Sequence, residues 1–486
     1  MSPYLVILTI AIYFIVLFGI SYLSGRNADS DGFFVGNRKS PWFLVAFAMI
    51  GSSISGVTFV SVPGMVGSNN FAYFQMVLGF FVGQIIIAFV LIPLFYKMNL
   101  VSIYEYLEER FGIASYKTGA WFFFISKMLG AAVRLFLVCI TLQLLVFDPL
   151  GLPFALNAFV TVLLVLIYTF KGGVKTLIWT DAFKTFCLVV SVVLCIYYIA
   201  SDLNMDIKGM FKAVKNSELS RTFFFDDIND KRFFFKQFFA GVFTMIATTG
   251  LDQDMMQRNL SCKNYQDSQK NMITSGLSQL VVIALFLMLG ALLYIYSAKM
   301  SIEMPESSDQ LFPLIATGGY FPTIVGVLFI IGLVSAAYAA AGSALTALTT
   351  SFTVDILQSR ENKNEEELTK TRKKVHIGMA FTMAIVIIVI NALNNTSVID
   401  AVYILASYTY GPILGLFTFG IITKKKVHDK FIPLVAIAAP ILSYILQANS
   451  KAWFNGYEFS YELLIFNALF TIIGLTLLID RKKTII

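Results

Sequence analysis

Six charged side chains stand inside stretches that are otherwise apolar: Lys127 and Arg134, Asp181 and Lys184, and Asp252 and Asp254. A charge at membrane depth costs roughly 2.5 to 3.5 kcal/mol or more, so each must face a cavity, a partner or an interface. Lys127 and Arg134 are seven residues apart, about two helical turns, and share one face. Asp181 and Lys184 are three apart, close enough to pair on a helix. The plain alternative for Lys184 is snorkelling to the inner interface. Arg134 lies further from either end of its stretch, which makes it the candidate contact for an anionic substrate, or else one half of an internal ion pair.

Backbone oxygens are the second chemical resource. The run Gly51-Ser52-Ser53-Ile54-Ser55-Gly56-Val57-Thr58, followed by Pro63 and Gly64, is a poor helix rich in hydroxyls. Such a break exposes carbonyls that can bind a cation, and open backbone survives at membrane depth only where it lines a cavity or is buried in protein. Thr248, Thr249 and Gly250 before Asp252 form a second weak helix five spans later. The bland explanation for either stretch is close helix packing through small residues.

These residues must be carried by membrane helices. The chain has 486 residues, 57% of them hydrophobic and only 13% charged, with a mean hydropathy of +0.76, which excludes a soluble globular enzyme. Crossing the hydrocarbon takes about 20 apolar residues, and thirteen windows of that kind occur. They lie near 3–23, 41–62, 72–96, 118–145, 153–170, 178–200, 234–252, 271–298, 323–353, 375–394, 400–423, 431–447 and 462–479. The first is expected to be a retained span, with no basic residue before it and no clean cleavage site after it. Lys and Arg crowd the loops of one side, among them Arg38, Lys39, Arg258, Arg372 and Lys424, whereas the short loops of the other carry Lys299 and Lys451. That asymmetry puts the N-terminus outside and the C-terminus in the cytoplasm of a plasma (inner) membrane, and it accounts for the net charge of +7 without any nucleic-acid partner. Segment 202–233, with Phe223 to Phe225, is expected to form an external amphipathic helix or lid. The Lys/Glu-rich stretch 359–374 reads as a solvated cytoplasmic loop.

Cys139, Cys187, Cys195 and Cys262 form no disulfide framework, and His376 and His428 read as surface residues without metal-ligand spacing. No nucleophile motif or acid–base pair indicates an enzyme, and no organic cofactor is expected. The lipid bilayer is the expected surroundings.

Four motifs carry a family resemblance. Gly172-Gly173-Val174-Lys175-Thr176-Leu177-Ile178-Trp179-Thr180-Asp181 resembles a signature of the sodium:solute symporters. Tyr104 to Phe111, Asp252-Gln253-Asp254-Met255-Met256-Gln257-Arg258, and Ser343 to Asp355 are similar to three further family stretches. The resemblance implies an all-α membrane protein of about thirteen helices with a leucine-transporter-like 5+5 inverted repeat. It also implies alternating access around a midplane site. One transporter domain then spans 1–486: a first span and loop (1–40), a first repeat (41–200), the external segment (201–233), a second repeat (234–423) and two last spans (424–486).

The resemblance implies further that sodium is the coupling ion, bound by backbone carbonyls of Gly51, Ile54 and Ala336, by Ser343, and by Asp181 near the cytoplasmic exit. It places Ala339 and Ala340 where the family usually has hydroxyls, and Lys184, as a gate or cation surrogate, where it often has Gln. The implied substrate pocket takes Ser55, Thr58, Gln75, Arg134, Thr248 and Gln279. The function so implied is secondary active import of a small polar or anionic organic solute by sodium symport. The alternatives are a sodium-independent or proton-coupled transporter, or a non-transporting solute sensor on the same fold, which usually carries an extra signalling domain.

Overall fold

The computed structural model describes residues 2–25, 33–34, 36–54, 56–170, 173–305, 307–358, 364–393 and 398–484. Long apolar runs make helices here because only a helix satisfies every backbone N–H and C=O within its own segment. We number the main ones α1 (Pro3–Gly25), α2 (Trp42–Ser53), α3 (Gly56–Asn69), α4 (Tyr73–Lys97), α5 (Ile113–Phe147), α6 (Phe154–Thr169), α7 (Gly173–Asp202) and α8 (Ile207–Asn216). They continue as α9 (Phe234–Gly250), α10 (Gln253–Asn259), α11 (Tyr265–Met300), α12 (Thr323–Ile356), α13 (Glu365–Leu393), α14 (Val398–Ile422), α15 (Ile432–Trp453) and α16 (Leu463–Leu477). Among the described residues nine helices are long and apolar enough to cross a membrane, or up to eleven if each of two bent pairs is one span. Two shorter apolar helices, α6 and α16, with 16 and 15 residues, fill the two remaining windows of the expected thirteen.

The bent pairs are α2 with α3, at 54°, and α9 with α10, at 70°. In the first, the helix stops at Ser53, and Ile54 is extended (φ −93°, ψ 93°). Small and hydroxylated residues cause the stop, because they favour alternative local hydrogen bonds over helix continuation. In the second, Ile246–Gly250 forms a π-helical turn, and the Asp252 carboxylate then caps α10 by accepting from the N–H groups of Asp254 (2.9 Å) and Met255 (3.3 Å).

The bundle closes around α12, whose turns from Val325 to Thr350 are almost wholly buried against α2, α3, α5, α6 and α7. Its run Ala339-Ala340-Ala341-Gly342 lets these neighbours approach closely. A Cβ on Gly342 would collide with the Tyr168 hydroxyl, which donates to the Tyr338 carbonyl.

Three expectations need correction. The 359–374 stretch is not simply a loop: 359–363 lie outside the described residues, but from Glu365 onward the chain is helical and forms the first turns of α13, whose acidic residues suit a helix N-terminus. His376 is not a surface residue; it is buried between Thr169 Oγ1 (2.9 Å) and Thr349 Oγ1 (2.7 Å) and joins α6, α12 and α13. Arg258 and Arg372 are buried, so they are not loop charges that set topology. Segment 202–233 contains the amphipathic α8 and then a run of turns ending at α9, where hydrogen bonds from Arg232 hold the Asp230 carboxyl below the usual carboxylate range.

Candidate functional site

Between the two bent pairs lies a cavity. It is lined from α3 by Thr58, from α5 by Lys127 and Arg134, from α9 by Thr248, from α11 by Gln279 and from α14 by Tyr410, with Asp252 at its edge. The break between α2 and α3 adds Ser52 and Ser53. Hydroxyls, an amide and one guanidinium thus converge in an apolar bundle, which is the composition of a site that orients a small polar ligand.

Beneath and beside the cavity runs a chain of buried charges of alternating sign. Lys127 Nζ lies 3.1 Å from Asp252 Oδ2 and 2.7 Å from Asp254 Oδ2. Arg258 Nη2 lies 3.6 Å from Asp254 Oδ1 and 3.0 Å from Asp181 Oδ2. Lys184 Nζ completes the chain at 3.1 Å from Asp181 Oδ1. Tyr410 donates to Asp252, Ser343 donates to Asp254 (3.1 Å), and Ser52 donates to Asp181 (3.4 Å). Three cations face three carboxylates, so the network is neutral overall. Each ion is buried, and a buried ion persists only when its charge is met in this way.

Arg134 differs. It is half-buried and lines the cavity, and among the described residues it makes no ion pair. An unmatched guanidinium offers a planar fork of donors suited to a carboxylate.

The other expected site residues divide. Thr58, Thr248 and Gln279 line the cavity; the Thr248 hydroxyl donates to the Thr244 carbonyl (2.8 Å), and Gln279 accepts from Gln84 (3.2 Å). Ser55 lies outside the described residues. Gln75 is a structural clamp and does not line the cavity: its amide donates to the Arg232 (2.8 Å) and Ala72 (3.2 Å) carbonyls and accepts from the Phe224 N–H (3.1 Å), tying α4 to the 223–232 segment. Snorkelling by Lys184 is also overturned, since no part of its side chain is exposed.

Among the residues expected to hold sodium, the side-chain oxygens of Ser343 and Asp181 are already engaged, while α2 ends beside them with Ile54 extended. Ala336, Ala339 and Ala340 are buried and the last two bring no side-chain oxygen. The Ser343 hydroxyl is turned to Asp254 and the Ala340 carbonyl, both Asp181 oxygens face cations, and Gly51 packs against Thr185 so closely that a Cβ would strike its hydroxyl.

Sequence reasoning named Asp254 without giving it a partner and missed Arg258 and Tyr410 as parts of the site. The spacing of four between Asp254 and Arg258 was the available signal, but reading Arg258 as a loop charge hid it. Tyr410 gave none, being one aromatic in an apolar run.

The sodium:solute symporter family model matches residues 33–429. The sodium/sialic acid symporter NanT of Aliivibrio fischeri is 25% identical over 442 residues, covering 87% of this chain and 83% of that one. The sodium-coupled monocarboxylate transporter 1 of Mus musculus is 24% identical over 410 residues, 83% of this chain and 66% of that one. A structure of a Na+-coupled sialic acid symporter in a substrate-bound outward-open state superposes with a TM-score of 0.81 at 20% identity, covering 97% of both chains. Mhp1, a nucleobase-cation-symport-1 family transporter, gives 0.52 at 13% identity over 91% of this chain and 92% of its own. The fold is that of the leucine-transporter-like inverted-repeat proteins, in an all-α, multi-pass membrane protein. With most of its length matched and both broken helices in place, the chain belongs to the sodium:solute symporter family.

Proposed function

We propose that this protein is a secondary active transporter that imports a small organic carboxylate by alternating access. The reading rests on Arg134, a guanidinium facing the central cavity without an ion-pair partner among the described residues. A substrate carboxylate supplies the missing charge, and Thr58, Thr248 and Gln279 supply polar contacts for the rest of a small solute. Relatives named for sialic acid and for monocarboxylates share this acid chemistry. Sodium symport is the coupling we propose, because the relatives are named as sodium-coupled and the family carries that description. The chain is oriented with its N-terminus outside and its C-terminus in the cytoplasm of the plasma or inner membrane, and 41–200 and 234–423 form the two repeats that move against each other.

A second reading, transport without sodium, is favoured by one observation: Asp181 is occupied by Lys184 and Arg258. Uptake of radiolabelled carboxylates into proteoliposomes tests both readings. A sodium gradient at fixed pH is expected to drive accumulation, and Arg134→Ala to abolish it. Accumulation driven equally well by a pH gradient without sodium sinks the sodium reading, and solute binding without any uptake makes the protein a sensor.

A further inference from the structure

We infer that the ammonium group of Lys184 is a tethered monovalent cation, held where α2, α7 and α12 meet in a cradle that a free sodium ion would otherwise enter. The inference goes beyond the transport reading, since it concerns the ion and not the solute.

Four surroundings make the cradle. Asp181 Oδ1 lies 3.1 Å from the ammonium, and the Tyr338 carbonyl accepts from it at 3.2 Å. The ring of Tyr168 lies beneath it, 4.1 Å from nitrogen to centroid, presenting the negative face of its π system. The fourth is the end of α2: the helix stops at Ser53, so its last carbonyls lack helical donors and carry the negative end of its dipole. This end abuts α7 at the Lys184 level, through Gly51 against Thr185 and Ser52 on Asp181. A carboxylate, a carbonyl, a ring face and a helix C-terminus all favour positive charge, and the first two accept hydrogen bonds from the ammonium.

The charge balance points the same way. With Lys184 present, the buried chain from Asp252 to Lys184 is neutral; a sodium ion added beside it would leave an uncompensated positive charge in a region closed to water. Without the ammonium the chain carries one excess negative charge, and the cradle calls for a cation. The alanines at 339 and 340 fit this division: a permanent ammonium needs no extra hydroxyls from the adjoining turn of α12. Any sodium that is symported therefore binds elsewhere, and no ion is exchanged at this junction during the cycle.

Radiosodium binding to the purified full chain, with choline replacing sodium at constant ionic strength, tests this directly. Lys184→Met is expected to bind one more ion per folded chain than wild type, and adding Asp181→Asn to that variant is expected to remove the gain. A folded Lys184→Met that binds no more sodium than wild type overturns the inference, as does a gain that survives Asp181→Asn. Because emptying a buried pair can prevent folding, a second variant leaves Lys184 in place and restores hydroxyls with Ala339→Ser and Ala340→Ser. No added sodium is expected to bind there, and a gain in that background overturns the inference even if Lys184→Met never folds. Solute uptake enters none of these counts, so they can fail while carboxylate transport stands, and the reverse.

Discussion

Lys127 and Arg134 stand on one face of α5, two turns apart, and have opposite surroundings. Lys127 is met by two carboxylates within 3.1 Å, whereas Arg134 opens onto the cavity with no ion-pair partner among the described residues. The first charge holds α5 to the start of α10 at the α9–α10 bend; the second is left for something that is not part of the chain. A buried cation in a transporter is informative about the solute only when the protein has not already neutralised it.

The contrast is broken most sharply at Lys127. Lys127→Ala leaves the buried Asp252 and Asp254 with one cation fewer, which costs on the order of 3 to 5 kcal/mol. The protein is expected to lose its monodisperse peak in fluorescence-detected size exclusion, or to melt far below wild type. Arg134→Ala is expected to melt near wild type and to lose carboxylate binding by roughly a hundredfold, the scale of a charge-assisted contact. Thermal-shift titration with pyruvate, lactate and N-acetylneuraminate, which reports binding to the native state, measures it. If the two variants exchange these behaviours, the roles assigned to the two cations are reversed.

Gln75→Ala sharpens the comparison away from the charges. It leaves the Phe224 N–H and the Arg232 carbonyl without their partner, for a loss of about 1 to 3 kcal/mol in stability with no change in solute affinity. Weaker solute binding at unchanged stability would return Gln75 to the pocket. The smallest effect is expected from Thr58→Val, which removes one neutral hydroxyl from the cavity and is expected to raise the solute Kd by about three- to tenfold. Its dependence on cations is expected to stay the same, and a parallel change in both would mean that Thr58 serves the ion as well.

The broken helices were legible because their cause is local. Gly51 to Ser53 and Thr248 to Gly250 are poor helix formers wherever they stand, and the structure stops or distorts a helix at each. The pair Asp181 and Lys184 was legible for the same reason, being fixed by the pitch of one helix. Arg258 and His376 were misread because both were judged from the polar residues beside them in the chain. Arg258 sits on a seven-residue helix turned inward at the 70° bend, and His376 is enclosed by helices distant in sequence.

The sequence by itself determined that this is a helical membrane protein, where its two helices break, and which few charges must be accounted for inside it. Hydropathy, helix pitch and residue propensity act over neighbouring positions, so they can be read along the chain. Only the tertiary structure decided which charge partners which. Asp181 meets Arg258 from 77 positions away and Lys127 meets Asp252 from 125, contacts that follow from how whole helices pack and from the rule that a buried ion must be matched. That packing made Lys184 part of the frame and left Arg134 open.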